Sequence, residues 1–377
     1  MKGTIVPRKL ADGSKRYHAV FRVNGKQKWR TFNKQKDADR YLTAAVKAAH
    51  DGSYMEVRPI KMAEVFDVWV KRSMELRMKQ GLLKESTSKS YRSMVNTHLI
   101  PAFGEYRSDR LSHAVIGDWA EKMADEIVVG TFAPKSYNNL LNLLHSILEW
   151  ARHPAQGYLS HDPLVGQKRI PLPRVERDFL EPSEIPLLLE AADSPDVTIL
   201  NVALYTGLRR GELFALQWGD VDWGDRTEGG RLWIRRAIYQ GKISSPKTKQ
   251  SVRMVDIPQR ILDELNVYRA MFPPLEGNFV FRTWKGTPLD PDNWYKRHFL
   301  EILDRSGIRR MGLHALRHTY ASLLINQGES IMYVSRQLGH ASIQITADLY
   351  GHLFKETSLA AMKKLGASIP GTFQEAI

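Results

Sequence analysis

The chain contains no cysteine. Disulfides, thiolate-based zinc fingers and cysteine nucleophiles are therefore excluded, and a cytoplasmic location fits without being required. No run of eighteen apolar residues occurs, so a membrane span is not expected. The opening MKGTIVPRKLADGSKRYHAVF has basic residues but no apolar core of a secretory signal. There is no Walker lysine loop, no HExxH pair and no acidic cluster with two-metal spacing, so no cofactor or metal is expected. Negative charge is also scarce: 41 Asp and Glu face 55 Lys and Arg, a net charge of +14. Such an excess favours a polyanionic partner. With no lipidation motif or basic amphipathic anchor, nucleic acid is a better partner than a membrane surface. The surplus is concentrated at the start, where residues 1–58 hold 14 Lys and Arg against 5 Asp and Glu.

The length of 377 residues allows two or three domains, each with its own core. Residues 1–32 alternate apolar and polar side chains in GTIV, RYHAVFRV and KQKWRTF, with Asp12-Gly13 and Asn24-Gly25 as hairpin turns. A helix is predicted from about Lys36 to His50. This small module, residues 1–55, is a three-stranded sheet plus helix whose sheet carries Arg8, Lys9, Arg16, Arg22, Lys26, Lys28 and Arg30. A sheet of that width can enter a DNA major groove. From residue 60 to 155 helical periodicity dominates and predicts an all-α bundle. Its apolar stripes include Phe66, Trp69, Val70 and Met74, and later Tyr137, Leu140, Leu144 and Ile147, which read as core. Lys84, Ser86, Thr87, Lys89, Arg92, Lys135, Ser136 and Asn139 on the polar faces are candidates for phosphate contact. Residues 156–177, rich in Pro and Gly and basic, read as a linker. A third unit, 178–377, is mainly helical with a small antiparallel sheet. The whole is a multidomain α+β chain.

The third unit carries the chemistry. Residues 206–216 read TGLRRGELFAL, with Gly207 ending one helix and Arg209 opening the next. The strand RLWIRRAIY (231–239) and the stretch SSPKTKQSVRMVDIP (244–258) predict a hairpin with Lys247 near its tip. His314, Arg317 and His318 stand at i, i+3 and i+4 and share a helical face. Gly339 stops the following helix, His340 comes just after it, and Tyr350 lies ten residues on.

Together, TGLR-x-GE, His-x-x-Arg, Leu-Gly-His and Tyr-x-His resemble the signature of the tyrosine recombinase, or phage integrase, family. The resemblance spans about residues 180–355. It implies a catalytic set of Arg209, Lys247, His314, Arg317, His340 and Tyr350, with Glu212 as the buried partner that orients Arg209. His352 fits the family's Tyr-x-His ending as a structural residue. The amino-terminal module resembles the arm-site-binding domain of lambda-type integrases, and the bundle resembles the family's core-binding domain.

The chemistry implied is transesterification at a DNA phosphodiester. A phenol with a pKa near 10 is a poor nucleophile at neutral pH. Two forked guanidiniums on the non-bridging oxygens stabilise the charge of the transition state. The histidines add hydrogen bonds or shuttle a proton, Lys247 protonates the departing 5′ oxygen, and Tyr350 holds the 3′ phosphate as an ester. The ester preserves the bond's free energy, so neither ATP nor metal is required.

The implied function is site-specific integration and excision of a phage or mobile element. Its partners are double-stranded DNA at core and arm attachment sites and three further copies of the chain in a tetramer on DNA. A directionality factor and a host DNA-bending protein follow from the same resemblance. The tail after Leu353 is expected to dock on a neighbouring protomer. Two other readings share parts of these features. A type IB topoisomerase-like enzyme uses the same mechanism without site choice, and a DNA-binding regulator never cleaves.

Overall fold

The computed structural model describes residues 3–23, 25–51, 54, 57–172, 178–225, 228–239, 241–244 and 252–368. Lys247 and Asn24 lie outside these described residues. The chain divides into two compact units, Met1–Pro173 and Arg174–Ile377.

The first unit opens with an antiparallel sheet of order β1-β2-β3: β1 Thr4–Lys9, β2 Lys15–Val23 and β3 Lys26–Phe32. β1 runs further than its apolar pattern predicts, through Pro7 paired with Tyr17. As an edge strand it tolerates a residue without an N–H. Helix α1, Gln35–His50, covers one face, where Ala19 and Phe21 are buried and Phe21 meets Tyr41 edge-on at 6.1 Å.

Register decides which face each sheet cation occupies, because directly paired residues project to the same side. Lys28 pairs with Phe21 and Arg30 with Ala19, which places both on the helix side. The Arg30 guanidinium lies 5.2 Å from the Tyr41 ring centroid. Lys9, paired with Lys15 and alternating with Arg8, is on this side too. Arg8, Arg16 and Arg22 take the opposite face together with Trp29, which is 69% exposed.

Among the described residues, four helices follow in this unit. α2 runs through Met62–Val68, a wider π turn at Trp69–Met74, and Glu75–Lys79. α3 does the same through Glu85–Met94, Val95–Leu99 and Ile100–Phe103. α4 is His113–Val128, capped by the Ser112 hydroxyl, which accepts from the Val115 N–H. α5 is Pro134–Arg152, opened by proline, whose missing N–H costs nothing in a first turn. Phe66, Trp69, Phe103, Ile116, Trp119 and Leu144 meet in their core, with Trp119 stacked on Tyr137 at 5.5 Å. The aromatics are thus packing residues here.

The stretch expected as a linker is packed on this bundle through Ile170. Leu159 and Leu164 are buried, His161 hydrogen-bonds the Leu111 carbonyl at 2.9 Å, and the Asn138 side chain pairs with both main-chain groups of Ile170. These apolar anchors fix a segment that its Pro and Gly content marks as a connection.

The second unit begins with α6 Glu184–Glu190, α7 Asp196–Thr206 and the one-turn α8 Arg210–Leu213. A three-stranded antiparallel sheet has the order β4-β5-β8: β4 Val221–Asp222, β5 Gly230–Ile234 and β8 Arg253–Ile257. A separate ribbon pairs β6 Ala237–Tyr239 with β7 Lys242–Ser244. The single strand expected over 231–239 is therefore two. They part at Arg235 and Arg236, whose guanidiniums lie 3.8 and 2.5 Å from the buried Asp220 carboxylate. Consecutive side chains of a strand point to opposite faces, so both can reach one carboxylate only if the extended run breaks.

The remaining helices are α9 Gln259–Met271 and α10, which comprises Pro291–Trp294, a π turn Tyr295–Phe299 and Leu300–Ser306. After them come α11 His314–Asn326, α12 Ile331–Leu338, α13 Ile343–Tyr350 and α14 Thr357–Ser368. The core gathers Leu200, Leu204, Phe214, Ile257, Leu262, Phe281 and Phe299. A smaller cluster of Tyr320, Ala321, Val334, Leu338 and Tyr350 ties α11, α12 and α13 together. Among the described residues no helix is long and apolar enough to cross a membrane.

Candidate active site

Two helix ends set the site. α7 stops at Gly207 (φ 58°) and α12 stops at Gly339 (φ 64°), both left-handed. Such a turn suits glycine, and close packing demands it as well. A Cβ on Gly207 would meet Tyr320 at 2.3 Å, and one on Gly339 would meet the Arg253 side chain at 2.8 Å. Directly after the first turn, Arg209 caps α8 in extended geometry, and its N–H donates to Glu212 Oε2 at 3.0 Å. α8 lies close to β6, where a Cβ on Gly211 would meet the Ile238 carbonyl oxygen at 2.6 Å.

The carbonyls at the end of α12 collect three guanidiniums. Arg253 Nε donates to the Gln337 oxygen at 2.7 Å, Arg317 Nη2 to Leu338 at 2.6 Å and Arg209 Nη2 to Gly339 at 3.0 Å. Arg317 Nη1 also donates to the Gly207 oxygen at 2.7 Å, so this one side chain joins both helix ends. The negative ends of helix dipoles suit buried cations. Glu212, 3% exposed, accepts from Arg209 Nη1 at 2.8 Å and from Arg253 Nη2 at 3.0 Å. Burial alone pushes the Glu212 carboxyl up, but Arg253 and then Arg209 more than offset this and hold it below the ordinary range.

Burial followed by the charges of Arg209 and Arg253 pushes Arg317 down to about 9, still protonated at neutral pH. His340 follows Gly339 directly, and its Nδ1 is 2.8 Å from the Thr346 hydroxyl. Burial, then Arg317, Arg209, Arg253 and His314, push it down to about 3, so its ring is neutral. A neutral imidazole offers one donor and one acceptor. Tyr350, at the end of α13, is 3% exposed, and its hydroxyl lies 2.6 Å from Nδ1 of His318. His318 in turn meets His314 edge-on, with ring centroids 4.7 Å apart. Tyr350 also contributes to the electrostatic field at Arg317.

Residues 178–357 match the model of the phage integrase family. The ICEBs1 integrase of Bacillus subtilis is 28% identical over 294 residues, spanning 72% of this chain and 75% of that protein. A XerC-like tyrosine recombinase of Caldanaerobacter subterraneus is 30% identical over 263 residues, spanning 61% and 66%. This chain belongs to the phage integrase family of tyrosine recombinases. It is a site-specific recombinase of a phage or mobile element. The fold agrees. The Tn1549 transposon integrase bound to a circular intermediate DNA superposes with a TM-score of 0.64 at 19% identity, covering 81% of this chain and 99% of that one. A lambda integrase tetramer bound to a Holliday junction superposes with a TM-score of 0.58 at 17% identity, covering 89% and 95%.

Five of the six residues singled out in the recombinase's sequence fall within the described residues, and Lys247 falls outside them. Arg209, Arg317 and His340 are joined through the end of α12, while His314 and Tyr350 both adjoin His318. Two members of the cluster have no role in the sequence reading. Arg253 is detectable from its position in β8, where Arg253, Val255 and Ile257 form the buried row. A cation in a row of core positions requires a partner. Helical spacing puts His318 on the shared face of α11 but assigns it no task. The DNA-contact candidates of the bundle sit at helix starts or on outer faces. Lys89 lies 3.6 Å from Glu85 and Arg92 3.6 Å from Glu75, while Lys84 caps α3 and Lys135 is in the first turn of α5. A cavity of about 1130 Å³, lined by Leu189, Leu204, Tyr205, Leu323 and Tyr333 among others, includes none of the candidate catalytic residues.

Proposed function

We propose that Tyr350 is the nucleophile of the recombinase and that Arg209 and Arg317 bind the scissile phosphate, forming a 3′-phosphotyrosine link. Charge carries this reading. Three guanidiniums converge on three successive carbonyls, and among the described residues one carboxylate, Glu212, is hydrogen-bonded to two of them. Such a concentration of positive charge calls for an anion, and the Arg317 guanidinium, lowered first by burial and then by the charges of Arg209 and Arg253, sits within it. A phosphodiester supplies one negative charge, and its pentacoordinate transition state supplies another.

The arginines have donors for it. Each Nη of Arg317 uses one N–H on a carbonyl, and each Nη of Arg209 uses one on Glu212 or Gly339, which leaves a second N–H on each nitrogen outside these bonds for phosphate oxygens. Each well-placed donor of this kind is worth on the order of 10²–10³ in rate. Neutral His340 donates a hydrogen bond without adding to the repulsion, His314 assists beside it, and Lys247 protonates the departing 5′ oxygen. Glu212 holds Arg209 in place.

The α2–α5 bundle grips the core site through Lys84, Lys89, Arg92 and Lys135. The amino-terminal sheet binds arm sites through Arg8, Arg16 and Arg22, with Lys9, Lys28 and Arg30 contributing from its helix side. Four protomers hold two duplexes during strand exchange, and the tail after Leu353 docks between them. A directionality factor and a host DNA-bending protein set the direction in the cytoplasm. The lambda integrase tetramer on a Holliday junction, whose fold this chain shares, supports the four-protomer arrangement.

The test uses a nicked duplex that traps the covalent intermediate. Its core sequence is recovered by covalent capture from a random duplex library. The wild-type protein should form an adduct stable in a denaturing gel, whereas Tyr350→Phe should bind the same DNA and form none. An adduct with Tyr350→Phe would refute the nucleophile assignment. Relaxation of supercoils without any site preference would favour a topoisomerase-like activity instead.

A further inference from the structure

We propose that His318 is a catalytic residue that takes the proton of the attacking phenol and returns it on rejoining. The proposal rests on Tyr350 being the nucleophile.

The Tyr350 hydroxyl is 2.6 Å from His318 Nδ1, a short contact that points to a strong hydrogen bond. In the tautomer protonated at Nε2, the hydroxyl donates to Nδ1. Both residues are buried, Tyr350 to 3% exposure and His318 to 5%. Bulk water therefore has little access to the phenolic oxygen, and the proton needs an acceptor inside the protein. An imidazole in hydrogen-bond contact supplies that acceptor at neutral pH, where a free phenol is almost wholly protonated. The helix fixes the arrangement: His318 is the residue after Arg317 on α11, and α13 brings Tyr350 against it.

Nearby, His314 meets His318 edge-on, Tyr350 acts on the Arg317 guanidinium together with Arg209, Arg253 and Glu212, and His340 lies in the field of the same three arginines and of His314. A bound phosphate and its transition state add negative charge beside these cations.

Atoms and charge balance in both directions. The Tyr350 O–H bond breaks and its proton passes to His318 Nδ1. The phenolic oxygen forms a bond to phosphorus while the P–O5′ bond breaks, and the departing oxygen takes a proton from the general acid, Lys247. In rejoining, the 5′-hydroxyl of the partner strand attacks phosphorus and returns its proton to Lys247. The P–O bond to Tyr350 breaks, and the phenolate recovers its proton from His318.

The experiment is single-turnover adduct formation by the full chain on the nicked duplex. It compares wild type, His318→Ala and His318→Gln, with an ordinary and a 5′-bridging phosphorothiolate leaving group. A thiolate departs without an acid, so a defect that survives this substitution belongs to the nucleophile's side. His318→Ala should bind DNA as wild type does and form the adduct about 10²–10⁴-fold more slowly near neutral pH. The defect should persist with the phosphorothiolate and shrink as pH nears about 10, where phenol ionises unaided. His318→Gln, which fills the site and can hydrogen-bond but cannot take the proton, should be as slow; its melting curve shows whether the fold is kept.

Recovery of the rate by His318→Gln would overturn the proposal and leave a positioning role. A defect independent of pH, or an unchanged rate in His318→Ala, would overturn it as well. An adduct formed by Tyr350→Phe would instead remove the nucleophile assignment, and the role of His318 with it.

Discussion

Replacing Arg253 by methionine keeps much of the side-chain volume and removes a buried charge together with two charged hydrogen bonds. One bond goes to Glu212 Oε2 at 3.0 Å and the other to the Gln337 carbonyl at 2.7 Å. Arg253 is 8% exposed and Glu212 3%, so water does not replace either partner easily. Hydrogen bonds involving a charged group contribute roughly 1.5–3 kcal/mol each, which gives about 3–6 kcal/mol for the two. Breaking a buried ion pair from one side costs about 3–5 kcal/mol, an independent figure in the same range. For a unit the size of Arg174–Ile377, where each kcal/mol shifts Tm by about 2–4 °C, Arg253→Met should lower Tm by about 6–20 °C. Arg253→Lys restores one point charge but cannot span both acceptors, so it should fall between.

The acid side of the stability curve adds a check on the same pair. In the wild type the Glu212 carboxyl is held below its ordinary value. It therefore contributes stability that is complete above the unfolded pKa and is lost as pH falls through the folded one. Without Arg253 that depression weakens, and acid destabilisation should begin at higher pH. Thermal melting by near-UV circular dichroism at several pH values reads both effects. A Tm within about 2 °C of wild type would show that Arg253 is not anchoring Glu212, because the expected drop is about three times larger or more. Strand cleavage should fall further than DNA affinity, since Arg209 loses the partner that shares its carboxylate.

Gly339→Ala tests the turn beside the same arginine. The left-handed φ of 64° costs an L-residue roughly 1–2 kcal/mol, and the new Cβ would press on Arg253 at 2.8 Å, so cleavage should be lost together with some stability. His340 should show no imidazole titration by NMR between about pH 5 and 8, because its value lies near 3 against an ordinary 6.5. The unfolded chain then takes the proton first, so this group lowers stability as pH falls below about 6.5, and His340→Gln should remove that loss. A ring that titrates near 6.5 would contradict the charge cluster. Replacing Arg8, Arg16 and Arg22 together by alanine should reduce the salt slope of arm-site binding by about 0.9 for each phosphate no longer neutralised. The same change at Lys9, Lys28 and Arg30 should alter it less, and equal effects would show that DNA does not distinguish the two sheet faces.

How far the sequence carried this picture depends on what each residue's role requires. The stops at Gly207 and Gly339 were legible because a left-handed residue is a local demand. Arg209 with Glu212 was legible for a similar reason, since a cap and its third residue lie within one turn. The sheet cations show information that was present but unused. Alternation alone puts Arg16 and Arg22 opposite Ala19 and Phe21, and counting charges without sorting them by parity merges two different faces. The division of 231–239 into β5 and β6 was not legible, because its cause is Asp220, which reaches both arginines only after the chain has folded. His318 stands between these cases. Its place on the face of His314 follows from helical spacing, but which imidazole meets the Tyr350 hydroxyl depends on how α13 packs against α11. A catalytic set read from motif spacing can identify the groups that meet a substrate. The groups that meet the nucleophile are fixed by packing, and those appear only when the helices are seen together.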